Sequence, residues 1–207
     1  SQDWQTNAQT PTTEIGLPTN GLVTSYITQQ LTFQLASYTA NNSLRLAEAN
    51  TPLTTNVTNE VTAKNLYILA TSGNGNGTIA VQVNFEDNTS QNSENVVVND
   101  WFDGWFAPSI LSGFGRVNRT TDEVETPWGS PNLFQYPLEL DIINQTKTIQ
   151  SITYTKTAGD GIVNIFAVSV EETPSCPPPV VTTSSPTINS VEVTLQMLNV
   201  PYTDFYY

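Results

Sequence analysis

The chain has 207 residues, a net charge of −13 and no histidine, and only 12% of its side chains are charged. This balance points away from nucleic acid, which needs clustered Lys and Arg. It also leaves no imidazole for a Ser-His-Asp or Cys-His mechanism, and a single cysteine, Cys176, forms neither an internal disulfide nor a thiolate metal site.

Asn, Thr, Ser and Gln carry the polar surface in place of charge, and the abundance of Thr and Val favours strands over helices. No stretch reaches the ~20 apolar residues of a membrane-spanning helix, so direct membrane insertion is not expected. An acidic, hydroxyl-rich surface suits a secreted protein. Ser1, Gln2, Asp3 and Trp4 would suit a mature N-terminus left by removal of a signal peptide.

Residues 1–21 are polar, and Pro11, Gly16, Pro18 and Gly21 break them into an extended segment. Residues 31–35 then alternate as a strand on Leu31, Phe33 and Leu35, and Leu44 and Leu46 alternate again. Residues 50–53 read as a turn and 54–61 as a weak polar strand. The continuous apolar run over 66–70 predicts a strand covered on both faces. Residues 72–77, Ser-Gly-Asn-Gly-Asn-Gly, read as a hairpin connection, because Asn-Gly favours positive φ. A phosphate-cradling loop is not implied, since no lysine follows.

The next strand alternates strictly, with Ile79, Val81, Val83 and Phe85 inward, and 86–90 is a turn. Val96, Val97 and Val98 read as a buried strand leading into an aromatic, acidic loop. Residues 133–143 alternate on Phe134, Tyr136, Leu138, Leu140 and Ile142. A strand on Ile152 and Tyr154 follows, then Asp160-Gly161 as a hairpin turn, then a strand over 162–170.

Short strands at regular spacing without an amphipathic helix predict an all-β fold: an antiparallel β-sandwich, jelly-roll-like, over residues 22–172. An immunoglobulin module needs only about 100 residues, fewer than this strand set spans. Residues 173–185 form a Pro-rich linker, with Pro177, Pro178 and Pro179 favouring extended polyproline II. Residues 186–207 alternate again and are expected to be the first strands of a second, truncated β-module.

The loop over 100–119 is the candidate binding surface. Sugars present C–H faces that stack on indoles, so Trp101, Trp105 and Trp128 are candidate platforms. Asp103, Arg116, Asn118 and Arg119 are candidate hydrogen-bonding partners. The bland alternatives are that the tryptophans plug one end of the sandwich and that Arg116 and Arg119 pair with Asp122, Glu123 or Glu125. Phe106, Ile110 and Leu111 are expected to turn inward and anchor the loop, leaving Trp101 or Trp105 as the outward ring. Asp100 with Asp103, or Glu123 with Glu125, are the carboxylate pairs a glycosidase would need at roughly 5–10 Å across a cleft. No pattern marks either pair out, so no enzyme activity is expected. Calcium is conceivable through Asp100, Asp103, Asp122 or Glu125, but no EF-hand spacing supports it, and no cofactor is expected.

Four segments carry a family resemblance: residues 38–46, 66–75, 113–121 and 150–157. Together they resemble β-sandwich modules of the galactose-binding-like or carbohydrate-binding jelly-roll type. Such modules occur in large proteins that Bacteroidetes export by type IX secretion, gliding-motility and adhesin-like chains among them. Cys176 with its three prolines, followed by residues 189–195, is similar to the opening of a fibronectin type III module. The resemblance implies a non-catalytic, glycan-binding or adhesive module on the outer surface of a Gram-negative cell. Its partners would be a glycan or another surface protein, with further modules in the same chain. The resemblance brings no catalytic residues onto these positions. A structural spacer in a surface fibre is the alternative, and an accessory domain of a secreted hydrolase a minor one.

Overall fold

The computed structural model describes residues 2–4, 16–104, 109–112, 115–118, 120–121, 123–125, 131–172, 180–183 and 193–196. By internal contacts the chain falls into two compact units, Ser1–Thr173 and Pro174–Tyr207. The strands of the first are β1 (Gln2–Trp4), β2 (Leu22–Thr24), β3 (Thr32–Gln34), β4 (Leu44–Leu46), β5 (Pro52–Asn56), β6 (Asn65–Gly73) and β7 (Gly77–Phe85). They continue with β8 (Ser90–Val98), β9 (Ser109–Ser112), β10 (Arg116–Asn118), β11 (Val124–Glu125), β12 (Asn132–Glu139), β13 (Ile149–Ala158) and β14 (Ile162–Glu171). The second unit has β15 (Val180–Thr183) and β16 (Val193–Gln196), paired antiparallel with Val181 opposite Leu195. No helix occurs among the described residues.

Two antiparallel sheets make the sandwich, one ordered β4-β14-β6-β12-β9 and the other β5-β13-β7-β8. Counted over β4 to β8 and β12 to β14, the first sheet takes the first, eighth, third and sixth strands. The second takes the second, seventh, fourth and fifth. That order is a jelly roll, with β9 added at one edge. Between the sheets lies the main core, in which Ile79, Val81, Val83 and Phe85 of β7 meet Leu66, Ile68 and Ala70 of β6. The strict alternation of β7 therefore buries one face only.

β6 is buried throughout its middle, as its unbroken apolar run predicts. Leu66, Ile68 and Ala70 face the inter-sheet core, whereas Tyr67 and Leu69 face a second cluster. That cluster is covered by the β2–β3 hairpin through Val23 and Phe33, by Leu17, and by Ile110 of β9. Fully burying an aliphatic side chain contributes about 1.5–3 kcal/mol, so both faces of β6 contribute. β14 changes phase at a register shift between Ile165 and Ala167. Val163 and Ile165 before it, and Val168 and Val170 after it, all reach the main core. Phe166 turns to the second cluster.

Four local readings are corrected. Residues 72–77 do not close a hairpin: β6 and β7 lie in different sheets, so the loop crosses the end of the sandwich. The Asp160-Gly161 turn crosses likewise, from β13 to β14. Asn74, Gly75 and Gly159 do take positive φ there, but that fixes the bend, not which sheet the next strand joins. The two crossings nest: Gly161 N donates to Asn76 O at 3.2 Å. A Cβ on Gly161 would overlap the Gly75 carbonyl and the Ser72 hydroxyl. Third, Val96–Val98 is not buried as a whole. β8 is an edge strand, and Val98 points in while Val97 is half exposed. Fourth, Ile142 is exposed, because the backbone turns at 141–144, where Asn144 N donates to Asp141 O at 2.7 Å.

Candidate functional site

The loop leaving β8 is fixed to the scaffold by its backbone. Ser72 N donates to Asn99 O and Trp101 N to Ser72 O, both at 2.8 Å, so residues 99–101 run alongside the end of β6. Asp100 then joins this loop to the crossing loop. Its Oδ2 accepts Gly75 N at 2.6 Å, its Oδ1 accepts Phe102 N at 2.9 Å, and its own N–H donates to Asn76 Oδ1 at 2.7 Å. A carboxylate so occupied acts as a backbone clamp between the two loops.

Two residues of β12 complete the support. The Tyr136 hydroxyl accepts Asn99 N at 2.8 Å and donates to Asn99 Oδ1 at 3.3 Å. Burial pushes the Tyr136 phenol well above the ordinary tyrosine range; the Asn99 hydrogen bond opposes this and the charge of Asp103 adds to it. The hydroxyl therefore stays a donor at any physiological pH. Asn132, fully buried, donates Nδ2–H to Trp101 O at 2.8 Å.

On this base stands an aromatic and cationic cluster. Trp101 and Phe102 meet edge to face, with ring centres 5.8 Å apart and planes at 87°. The Arg116 guanidinium lies 5.6 Å from the Trp101 ring centre and 5.3 Å from that of Phe102. Arg116 is aimed by Glu125, its directly opposed partner across the β10–β11 pair. Both Nε and a terminal nitrogen of Arg116 reach Glu125 Oε2 at 2.8 Å. Trp101 is half-buried and Phe102 is exposed.

Of the residues singled out from sequence, Trp101 and Arg116 are brought together. Asp103 lies near Tyr136. Asn118 closes its own turn, its Oδ1 accepting Thr120 N at 3.0 Å and its N donating to Glu123 O at 2.9 Å. Trp105, Arg119 and Trp128 lie outside the described residues, as does Asp122. Glu123 and Glu125 have separate partners, the Thr121 hydroxyl and Arg116. Among the described residues no three His, Cys, Asp or Glu side chains converge as metal ligands would. Of the expected anchors, Ile110 is buried and Leu111 packs against the same cluster, and Phe106 lies outside the described residues.

Neither a protein-family model nor a curated protein matches the chain. The site therefore rests on its own geometry.

Sequence reasoning missed the supports Asn76, Asn99, Asn132 and Tyr136. The signal present was local: an aspartate two residues before the N–H it accepts, as at Asp100 and Phe102, is an Asx-type turn. The long-range partners carry no such mark.

Proposed function

We propose that this chain is a non-catalytic binding module of a secreted, cell-surface protein, and that Trp101, Phe102 and Arg116 form its contact for a glycan. The observation that carries the reading is the Arg116 guanidinium, set against two rings and aimed by Glu125 on a loop clamped to the scaffold. A ring face takes the C–H face of a sugar, while the guanidinium edge and Glu125 address hydroxyls. Trp and Arg are also the types most enriched in binding hot spots. Loops on rigid scaffolds are where binding tends to reside.

The type IX export, the Bacteroidetes cell surface and a fibronectin-like second unit belong to the same proposal and rest on the sequence resemblance alone. The test is a glycan array probed with the parent chain and with Trp101→Ala, Trp105→Ala and Arg116→Ala, each checked for unchanged folding. Loss of binding in Trp101→Ala and Arg116→Ala supports the reading. Unchanged binding in all three moves the site elsewhere.

A second reading has one observation in its favour. Arg116 is already satisfied by Glu125, and Asp100 by backbone N–H groups, as in a module that only spaces its neighbours. Absence of binding by the parent to any glycan or cell surface would favour that spacer.

A further inference from the structure

We propose that the open edge of the sandwich is a second binding site, distinct from the aromatic patch, for a neutral and largely apolar small molecule. Such a ligand would present one hydrogen-bonding oxygen to Tyr154. The opening follows from the strand lengths. β14 pairs with β6 as far as Glu171 but with β4 only from Val163 to Ile165. Beyond that point β14 pairs with no strand on the β4 side among the described residues; the β2–β3 hairpin lies against it instead, Ser169 Oγ donating to Thr32 O, and a gap remains between them. A cleft of about 890 Å³ results, running from Asn41, Asn42 and Ser43 at its polar mouth to Ile149, Ile152 and Ile165 within. Ligand sites commonly measure roughly 300–1,000 Å³.

Two features define the ligand. First, none of the residues lining the cleft is charged, in a chain of net charge −13. An ion buried there would have no counter-charge, so a neutral molecule is selected. Second, Tyr154 is only 1% exposed yet lines the cleft. Among the described residues its hydroxyl has no hydrogen-bond partner, and burial alone pushes its pKa up. The hydroxyl lies against the cleft with no protein group bonded to it, so a ligand alcohol or carbonyl seated there would take that hydrogen-bond position. An extended peptide added along β14 would bond at the rim and leave Tyr154 unanswered, which is why a small amphiphile is the occupant.

The probes are 1-decanol, decanoate and decyltrimethylammonium, titrated into the full chain by calorimetry. One-site binding of decanol is expected, with decanoate and the ammonium at least about tenfold weaker. Tyr154→Phe should weaken decanol about five- to tenfold, the loss of one hydrogen bond. Val57→Trp, at a half-buried lining position, should abolish binding. Thr55→Trp at an exposed lining position serves if that variant does not fold. Equal binding of decanoate, an unaffected Tyr154→Phe or no decanol binding would each overturn the proposal. So would a chain that ignores decanol but self-associates in a way Val57→Trp blocks, which would assign the cleft to a second copy.

Discussion

The Asp100 carboxylate accepts the amide N–H of Gly75 at 2.6 Å, and through that bond the aromatic loop is tied to a loop that carries the chain from one sheet to the other. With its second oxygen on Phe102 N, Asp100 holds both the base and the presenting end of the candidate site. Asp100→Ala is therefore expected to cost about 2 kcal/mol, the range for hydrogen bonds to a charged group. It should also weaken any binding through Phe102. Denaturant unfolding measures the first effect. A loss below about 0.5 kcal/mol would mean that the clamp is not formed in solution.

The nested crossings make a paired glycine prediction. A Cβ at Gly161 would overlap the Gly75 carbonyl and the Ser72 hydroxyl, whereas one at Gly73 meets nothing within 4 Å. Gly161→Ala should destabilise by about 2 kcal/mol or more, as overpacking against backbone does. Gly73→Ala should be neutral or stabilising by about 0.5 kcal/mol through the unfolded chain. Thermal melts of the two variants side by side would show the contrast. Equal effects would refute the nesting.

A pH dependence follows from Glu171, at the end of β14. Its carboxylate accepts Asn65 Nδ2 at 2.7 Å and the Tyr67 hydroxyl at 3.1 Å, with Lys64 at 3.8 Å. The Asn65 bond chiefly, then Tyr67 and Lys64, hold its pKa below the ordinary carboxylate value, against the opposing effect of burial. A depressed folded pKa means that the native state binds the proton less readily than the unfolded chain. The contribution is thus fully present above the ordinary carboxylate range and is lost as pH falls through the folded pKa. Asp87 acts in the same direction through Thr89. The melting temperature of Glu171→Gln should fall less on acidification than that of the parent. Parallel curves would show that Glu171 is not a contributor.

Much of the sandwich was legible from local pattern. The period of two in β7 marks its inward face, and the unbroken apolar run of β6 marks a strand between two layers. What failed was non-local. Asn74-Gly75 and Asp160-Gly161 announce sharp bends, but whether a bend returns within a sheet or crosses to the other depends on what the next strand must bury. Ile142 continues an alternation in sequence after the backbone has already turned. At the candidate site, the aromatic and cationic content of the loop was readable. The pairing of Arg116 with Glu125 was one of several open pairings. The supports from Asn132 and Tyr136 are set by β12, some thirty residues away along the chain.

For binding itself, truncating an exposed hot-spot aromatic typically costs on the order of 2 kcal/mol, roughly thirtyfold in affinity. Phe102→Ala is expected to show that loss for any glycan retained on the array. Glu125→Gln should weaken binding less, because it loosens Arg116 without removing it. Surface plasmon resonance with the immobilised glycan gives both values. A larger effect from Glu125→Gln than from Phe102→Ala would mean that the rings are packing and the carboxylate is the contact.

The chain has four tryptophans, Trp4, Trp101, Trp105 and Trp128, so a ¹⁵N-correlated NMR spectrum carries four indole N–H signals, of which that of Trp101 reports on the site. Single Trp→Phe variants assign them. Titration with the best glycan from the array is the most direct measurement. The account predicts a saturable shift of the Trp101 indole together with the Arg116 Nε–H. A glycan that binds and moves other signals while leaving Trp101 and Arg116 unchanged would contradict it.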